Sequence, residues 1–234
     1  GWILIGSKDQ NQAPVFLWDD DDASLSEEVR SLDDHAEDVA SVLSAWIPKL
    51  TFSNEIEKVL KAFPALHDLG KADPRFQDFL YGGHMEAVYQ PLRAKSEDPQ
   101  LTKEEFQRRW RECQLLAGWR HELCSLDILK DNPTLLAELA DKGKELLQHL
   151  IGTHHGYGRI LAPVIVDEQA KNFSFDFGST LFQLHQRHPW YRLDSGWVDQ
   201  FSKLQRKYGW YGLAYLEAVV RLADHVASAK PTAQ

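Results

Sequence analysis

Six residues of this chain combine types and positions suited to metal chemistry: His35, the pair His67-Asp68, the pair His154-His155, and Asp224. His35 lies three residues after Leu32 and four before Val39, on the apolar side of a helical period. His154 follows Leu150 by four residues and carries a leucine stripe past the end of its segment. Asp224 stands four after Val220 and three before Ala227, inside an apolar stripe. A buried carboxylate is costly there unless it is paired or binds a metal. Any one of these histidines alone is best read as a hydrogen-bonded core residue. Asp224 alone is explained equally well by an ion pair with Arg221. That plain account fails on the set.

The two adjacent pairs each end a helical segment, in Leu66-His67-Asp68-Leu69-Gly70-Lys71 and Gly152-Thr153-His154-His155-Gly156. Inside a helix, neighbouring side chains point about 100° apart. Where the backbone leaves helical geometry both can turn toward one centre, and Gly70 and Gly156 are expected to permit the tight turns required. Imidazole and carboxylate together suit Mn, Fe, Co, Ni or Zn better than Mg or Ca, which prefer oxygen ligands.

The elements that must position these residues are mostly helical. Leu32, Val39, Val42 and Trp46 share one face of a helix running from about Ser31 to Pro48. Further predicted helices cover 54–69, 73–81, 102–117, 119–130 and 134–151, the last with Leu135, Leu139, Leu146 and Leu150 in a stripe. A final helix over about 209–228 carries Leu213, Leu216, Val220 and Ala227. Residues 82–101, with Gly82, Gly83, Pro91 and Pro99, read as an inserted loop. Residues 157–177 read as a long loop with some extended structure at Phe-Ser-Phe-Asp-Phe. The β-type runs 2–5 and 15–18 predict a small N-terminal hairpin, followed by an acidic linker at Asp19 to Asp22. The fold class is therefore all-α, a helical bundle with long loops. An extension or linker over 1–30 precedes one domain over 31–234.

An isolated His, then His-Asp, then a distant Asp is the signature of the HD phosphohydrolase superfamily, matched by His35, His67-Asp68 and Asp224. The longer His-Asp-Leu-Gly-Lys string, Arg120-His121-Glu122 and His154-His155-Gly156 resemble the HD nuclease domain of the type I CRISPR-associated nuclease–helicase. The closing Ala223-Asp224-His225-Val226-Ala227-Ser228 is similar to that family's ending. The resemblance spans roughly residues 30–230, with its elements in the family's order. It implies an HD-domain bundle holding two divalent transition-metal ions. His35, His67, Asp68 and Asp224 would hold one; Asp68, His121, His154 and His155 would hold the other, with Asp68 bridging. Five histidines and two aspartates exceed what one ion takes. Lys71 would meet the substrate phosphate or balance charge, and Asp68 and Lys71 would be the catalytic residues.

Composition limits the function further. No apolar run is long enough to span a bilayer, and the start, Gly-Trp-Ile-Leu-Ile-Gly-Ser, is not a signal peptide. Two cysteines, Cys113 and Cys124, form neither a disulfide framework nor a zinc ribbon, so a cytoplasmic protein is expected. The first residue is Gly rather than Met, and the linker character of 1–30 suits a piece of a longer protein. A net charge of −9 disfavours a broad basic nucleic-acid surface, although two bound cations would make one site electropositive. The clusters Arg108, Arg109, Arg111 and Arg187, His188, Trp190, Arg192 mix basic with aromatic residues, as single-strand grooves do, but are more often solvated faces. His84, His149, His185, His188 and His225 match no ligand position. The expected function is metal-dependent endonucleolytic cleavage of single-stranded DNA in CRISPR interference. A helicase domain or subunit and an RNA-guided surveillance complex are the implied partners; no P-loop is present for unwinding. The alternatives are an HD phosphohydrolase acting on small nucleotides and a degenerate HD module used for binding.

Overall fold

A computed structural model describes residues 29–83, 91–96 and 101–229. The expected hairpin at 2–5 and 15–18, and the extension apart from residues 29 and 30, lie outside the described residues.

The chain forms an all-α bundle with two small two-stranded sheets. Strand β1 (Arg30–Ser31) leads into helix α1 (Leu32–Trp46), whose N-terminus is capped by Ser31 Oγ accepting from Asp34 N at 3.0 Å. Helix α2 (Asn54–Leu66), capped by Ser53, ends immediately before His67, and a 3-10 turn over Leu69–Ala72 follows. Helix α3 (Pro74–Leu80) starts at Asp73, with proline at its first position where a missing N–H costs nothing. Strand β2 (Arg93–Lys95) pairs antiparallel with β1, Arg30 opposite Lys95. Helix α4 (Lys103–Glu112) opens on a Thr102–Glu105 capping box. Helix α5 (His121–Asp131), helix α6 (Asp141–Thr153), the hairpin β3 (Phe173–Phe177) with β4 (Thr180–Leu184), and helix α7 (Trp197–Ser228) complete the order.

Helix α1 packs on α2 and α7, α6 packs on α2, α5 and α7, and α5 packs on the 3-10 turn and β4. The core they enclose includes Val39, Leu60, Phe63, Leu126, Leu146, Leu150, Leu213 and Val220. No helix among the described residues is long and apolar enough to cross a membrane.

Four segments differ from the sequence expectation. The predicted 134–151 helix is broken: Pro133–Leu136 is a 3-10 turn, Ala140 is extended, and the α-helix starts at Asp141. Leu135 and Leu139 still reach the core from the irregular stretch, so their spacing imitated a continuous stripe. The expected helix over about 209–228 is present. Helix α7 also includes a helical segment from Trp197 that the sequence expectation lacks, and the two meet at Gly209, whose φ 71° and ψ 169° are not helical. The first half of α7 buries Trp197, Phe201 and Leu204 at helical spacing. The segment 82–101 contains strand β2, and β4 partners the extended Phe-Ser-Phe-Asp-Phe run. The predicted 102–117 helix stops at Glu112, beyond which Gln114 takes a positive φ of 60°.

Candidate metal centre

The six residues singled out by spacing, with His121, come together inside the bundle. His35 is on α1, His67 caps α2, and Asp68 follows it in the turn. His121 is the first residue of α5, His154 caps α6 with His155 next, and Asp224 is on α7. All seven are buried. The set falls into two groups with converging ligand atoms: Asp68, His121, His154 and His155; and His35, His67 and Asp224.

Asp68 faces both groups with different oxygens. Its Oδ2 lies 3.5 Å from His35 Nε2, 3.5 Å from His67 Nε2 and 2.7 Å from Lys71 Nζ. Its Oδ1 lies 3.1 Å from His121 Nε2 and 3.7 Å from His154 Nε2. In the first group, Asp224 Oδ1 is 2.9 Å from His35 Nε2 and 3.9 Å from His67 Nε2. Asp224 thus turns one oxygen to both histidines of its group. In the second group, His121 Nε2 and His155 Nε2 face each other at 3.0 Å.

The local chain explains these orientations. His67 Nδ1 lies 2.9 Å from the Pro64 carbonyl, and His154 Nδ1 lies 2.7 Å from the Ile151 carbonyl. A carbonyl only accepts, so each Nδ1 carries the proton and each Nε2 presents a lone pair inward. Ser125 on α5 stitches the His67-Asp68 turn to the start of the helix. It accepts from Gly70 N–H at 2.8 Å and donates to the His67 carbonyl at 2.8 Å. Gly70 is needed for this close approach rather than for an unusual dihedral: a Cβ there would run into the His121 carbonyl. Gly156 does take a positive φ, 87°, at the turn after His155. At the far end, Arg30 Nη1 donates to the Ala227 carbonyl at 2.9 Å and Lys95 Nζ to the Ser228 carbonyl at 3.1 Å. The short β1–β2 ribbon thereby holds the last turn of α7, one turn beyond Asp224.

The electrostatics fit a cation site. Burial pushes the His67 pKa down to about 4, against the pull of Asp68 and Asp224. Burial also lowers His121 and, helped by His154 and His121, holds His155 well below its ordinary value. These rings are neutral, as ligation requires. His154 is the exception: burial would lower it, but the facing Asp68 carboxylate and the Asp224 charge raise it. Burial would raise Asp68 and Asp224, yet both stay below the usual carboxylate range. His67 and Lys71 hold Asp68 down, and His35 and His67 hold Asp224 down. His67 Nε2, His154 Nε2 and both Asp68 oxygens are buried without a well-aligned hydrogen bond. Buried polar atoms normally find partners. Several lone pairs aimed at shared centres therefore match a divalent metal.

A family model described as "Cas3, HD domain" matches residues 19–231. The chain belongs to the Cas3 HD-domain family. It is accordingly an HD-type metal-dependent phosphohydrolase or nuclease of CRISPR systems. No curated protein and no solved structure gives a match.

The remaining histidines of this Cas3 HD domain stand apart from the cluster. His149 is buried in the core with Nε2 2.7 Å from Glu217 Oε1. His185 and His225 are exposed, His188 is half-buried, and His84 lies outside the described residues. Arg108 and Arg111 occupy the exposed side of α4, where Arg111 folds back on the Gln107 carbonyl. Arg192 pairs with Asp194 in solvent. Arg187 and Trp190, however, point into the protein beside α5. Sequence reasoning missed Ser125, and nothing in its neighbourhood sets it apart, because every residue from His121 to Leu129 is buried and no polar face contrasts with an apolar one.

Proposed function

We propose that this domain is an endonuclease that cleaves single-stranded DNA in CRISPR interference, using two divalent transition-metal ions. His35, His67, Asp68 and Asp224 would hold one ion, and Asp68, His121, His154 and His155 the other. Bound there, such ions supply an activated water at neutral pH and stabilise charge on the attacking and leaving oxygens. The observation that carries this reading is the split of Asp68, whose Oδ2 serves one group while Oδ1 serves the other.

The chain's own residues do the positioning. The Pro64 and Ile151 carbonyls fix the ring orientations of His67 and His154. Lys71 neutralises part of the Asp68 charge and, by swinging from Oδ2, would meet a substrate phosphate. Burial of the cluster favours a flexible strand, which can bend its backbone inward, over a stiff duplex. By family membership, a helicase domain or subunit would deliver the strand and an RNA-guided surveillance complex would mark the target.

The test is metal analysis of the purified domain followed by cleavage assays on circular single-stranded DNA and relaxed duplex circles. Cleavage of the single strand with Mn, Co, Ni or Fe, weak support by Mg, and none in chelator is the expected result. Equal rates on both circles, or full activity in chelator, would overturn the reading. Hydrolysis of small nucleotides without polynucleotide cleavage would favour the small-nucleotide alternative.

A further inference from the structure

The Arg120-His121-Glu122 string places one of the clustered histidines between two charged residues that the two-ion reading leaves without a role. Arg120 and Glu122 are 6% and 1% exposed, and Arg120 Nε donates to Glu122 Oε1 at 2.7 Å. The guanidinium also lies over the Tyr157 ring, 4.1 Å from its centroid. Tyr157 follows the His154-His155 pair by two residues, and His121 opens α5. One ion pair and one ring contact therefore join the two chain segments that supply His121, His154 and His155.

An acid in the first turn of a helix is ordinarily explained by the helix dipole at an exposed end. Glu122 is instead buried, where an ion pair at best breaks even with apolar packing. Stability is thus a weak reason for it. Its second oxygen supplies a better one: Oε2 is buried without a hydrogen bond and lies 3.8 Å from His121 Nδ1. The other ring nitrogen, Nε2, faces Asp68 Oδ1 at 3.1 Å and His155 Nε2 at 3.0 Å. A ring that offers its Nε2 lone pair to a metal carries its proton on Nδ1, and an acceptor there fixes its orientation. His67 and His154 use backbone carbonyls for this. For His121, the Glu122 carboxylate stands in that place. The separation is longer than a hydrogen bond, and a shift of roughly 1 Å at Nδ1 closes it.

We infer that Arg120, Glu122 and Tyr157 form a clasp that positions the ligands of the Asp68, His121, His154 and His155 group, with Glu122 orienting His121. The inference rests on the two-ion reading and names what holds that half of the site. All three are positioning residues, acting through His121 and the turn after His155. Glu122→Gln keeps the shape of the side chain. With its carbonyl facing Arg120, its amide would turn N–H toward His121 Nδ1, so that two donors meet. Tyr157→Leu removes the ring from the guanidinium, whereas Tyr157→Phe keeps it.

The test titrates Mn into the metal-free domain by calorimetry, for wild type and each variant, with folding checked by circular dichroism. Wild type should bind two ions. Glu122→Gln should weaken one of them about 10- to 100-fold, as loss of a partner to a ligating histidine does. Tyr157→Leu should weaken the same ion about fivefold, the scale of a cation–π contact, and Tyr157→Phe should match wild type. In a His121→Ala background, which keeps the other ion, Glu122→Gln should change the remaining affinity by no more than about twofold, the scatter between independent sites. Two ions of wild-type affinity in folded Glu122→Gln and Tyr157→Leu would overturn the clasp while leaving the two-ion reading intact. So would equal weakening of both ions, which a general loss of structure produces. A wild type that binds fewer than two ions would overturn the two-ion reading itself, and the clasp with it. If Glu122→Gln does not fold, Tyr157→Leu and Tyr157→Phe, which alter a half-buried ring, decide the question.

Discussion

Helix α5 separates two buried polar regions that are built on opposite principles. On one side, His121 joins the histidine–aspartate cluster. On the other, Cys124, Asp127 and Asp131 join a network in which each charge meets a partner. There, Arg75 is held by Asp73 at 2.9 Å and by Asp167 at 2.7 Å, and Arg187 shares Asp73 at 2.7 Å. Asp131 accepts from the His185 and Gln186 backbone, and Asp127 from His188 and Trp190. In the cluster, by contrast, the Nε2 atoms of His67 and His154 have no hydrogen-bond partner. A saturated network fastens the 185–190 segment and the 3-10 turn to α5. An unsaturated one is the arrangement a cation site needs. Burial alone does not distinguish the two; the state of the lone pairs does.

The largest effect should come from Asp68→Ala. It removes an oxygen from each histidine group and should lower cleavage by about 1,000-fold or more, the scale of losing a key charge-stabilising group. Metal content should fall at both groups together, whereas His121→Ala should keep about half the metal while losing most cleavage. Full metal content in folded Asp68→Ala, by elemental analysis, would break the contrast.

Asp73→Ala should do the opposite. Metal binding should persist, while stability falls by about 3–5 kcal/mol because the buried Arg75 and the half-buried Arg187 lose their shared carboxylate. Urea unfolding in chelator measures this directly, and a loss under 1 kcal/mol, about the value of an exposed pair, would mean that the network is not the fastening it resembles.

Ser125 belongs to neither set but joins them through the His67-Asp68 turn. Ser125→Ala should weaken Mn binding about 10- to 100-fold, as loss of a supporting hydrogen bond does. Calorimetric titration of the metal-free protein reads that change.

The last effect is spread over pH, so that it is small at any one step. Burial raises the Asp127 pKa to about 7, despite hydrogen bonds from Trp190 and His188 and the nearby Arg187 charge. Unfolded, an aspartate titrates near 3.9, about three units lower. The folded state therefore binds this proton more tightly, so the stability linked to it is complete below about pH 4 and is lost as pH rises through about 7. Asp127→Asn should gain on wild type across that window, by at most about 1.4 kcal/mol per pH unit, and gain nothing further above it. Paired urea melts across that range show whether the gain occurs.

The sequence by itself determined the all-α class, most helix positions, and six of the seven clustered residues. His35 and Asp224 were legible because a polar group inside an apolar stripe breaks a local period, and the two pairs because they sit at helix ends. His121 was reached only through family resemblance, since α5 is buried on every side and has no stripe to interrupt. Tertiary structure alone decided the rest. The β1–β2 ladder is too short to show alternation, and Gly209 lets two helical segments share one long element. The approach of Gly70 to α5, the two faces of Asp68, and the meeting of Asp73 with Arg187, 114 residues away, depend on how the helices pack. Chain order sets the period of a helix, but only packing brings distant side chains within reach of one another.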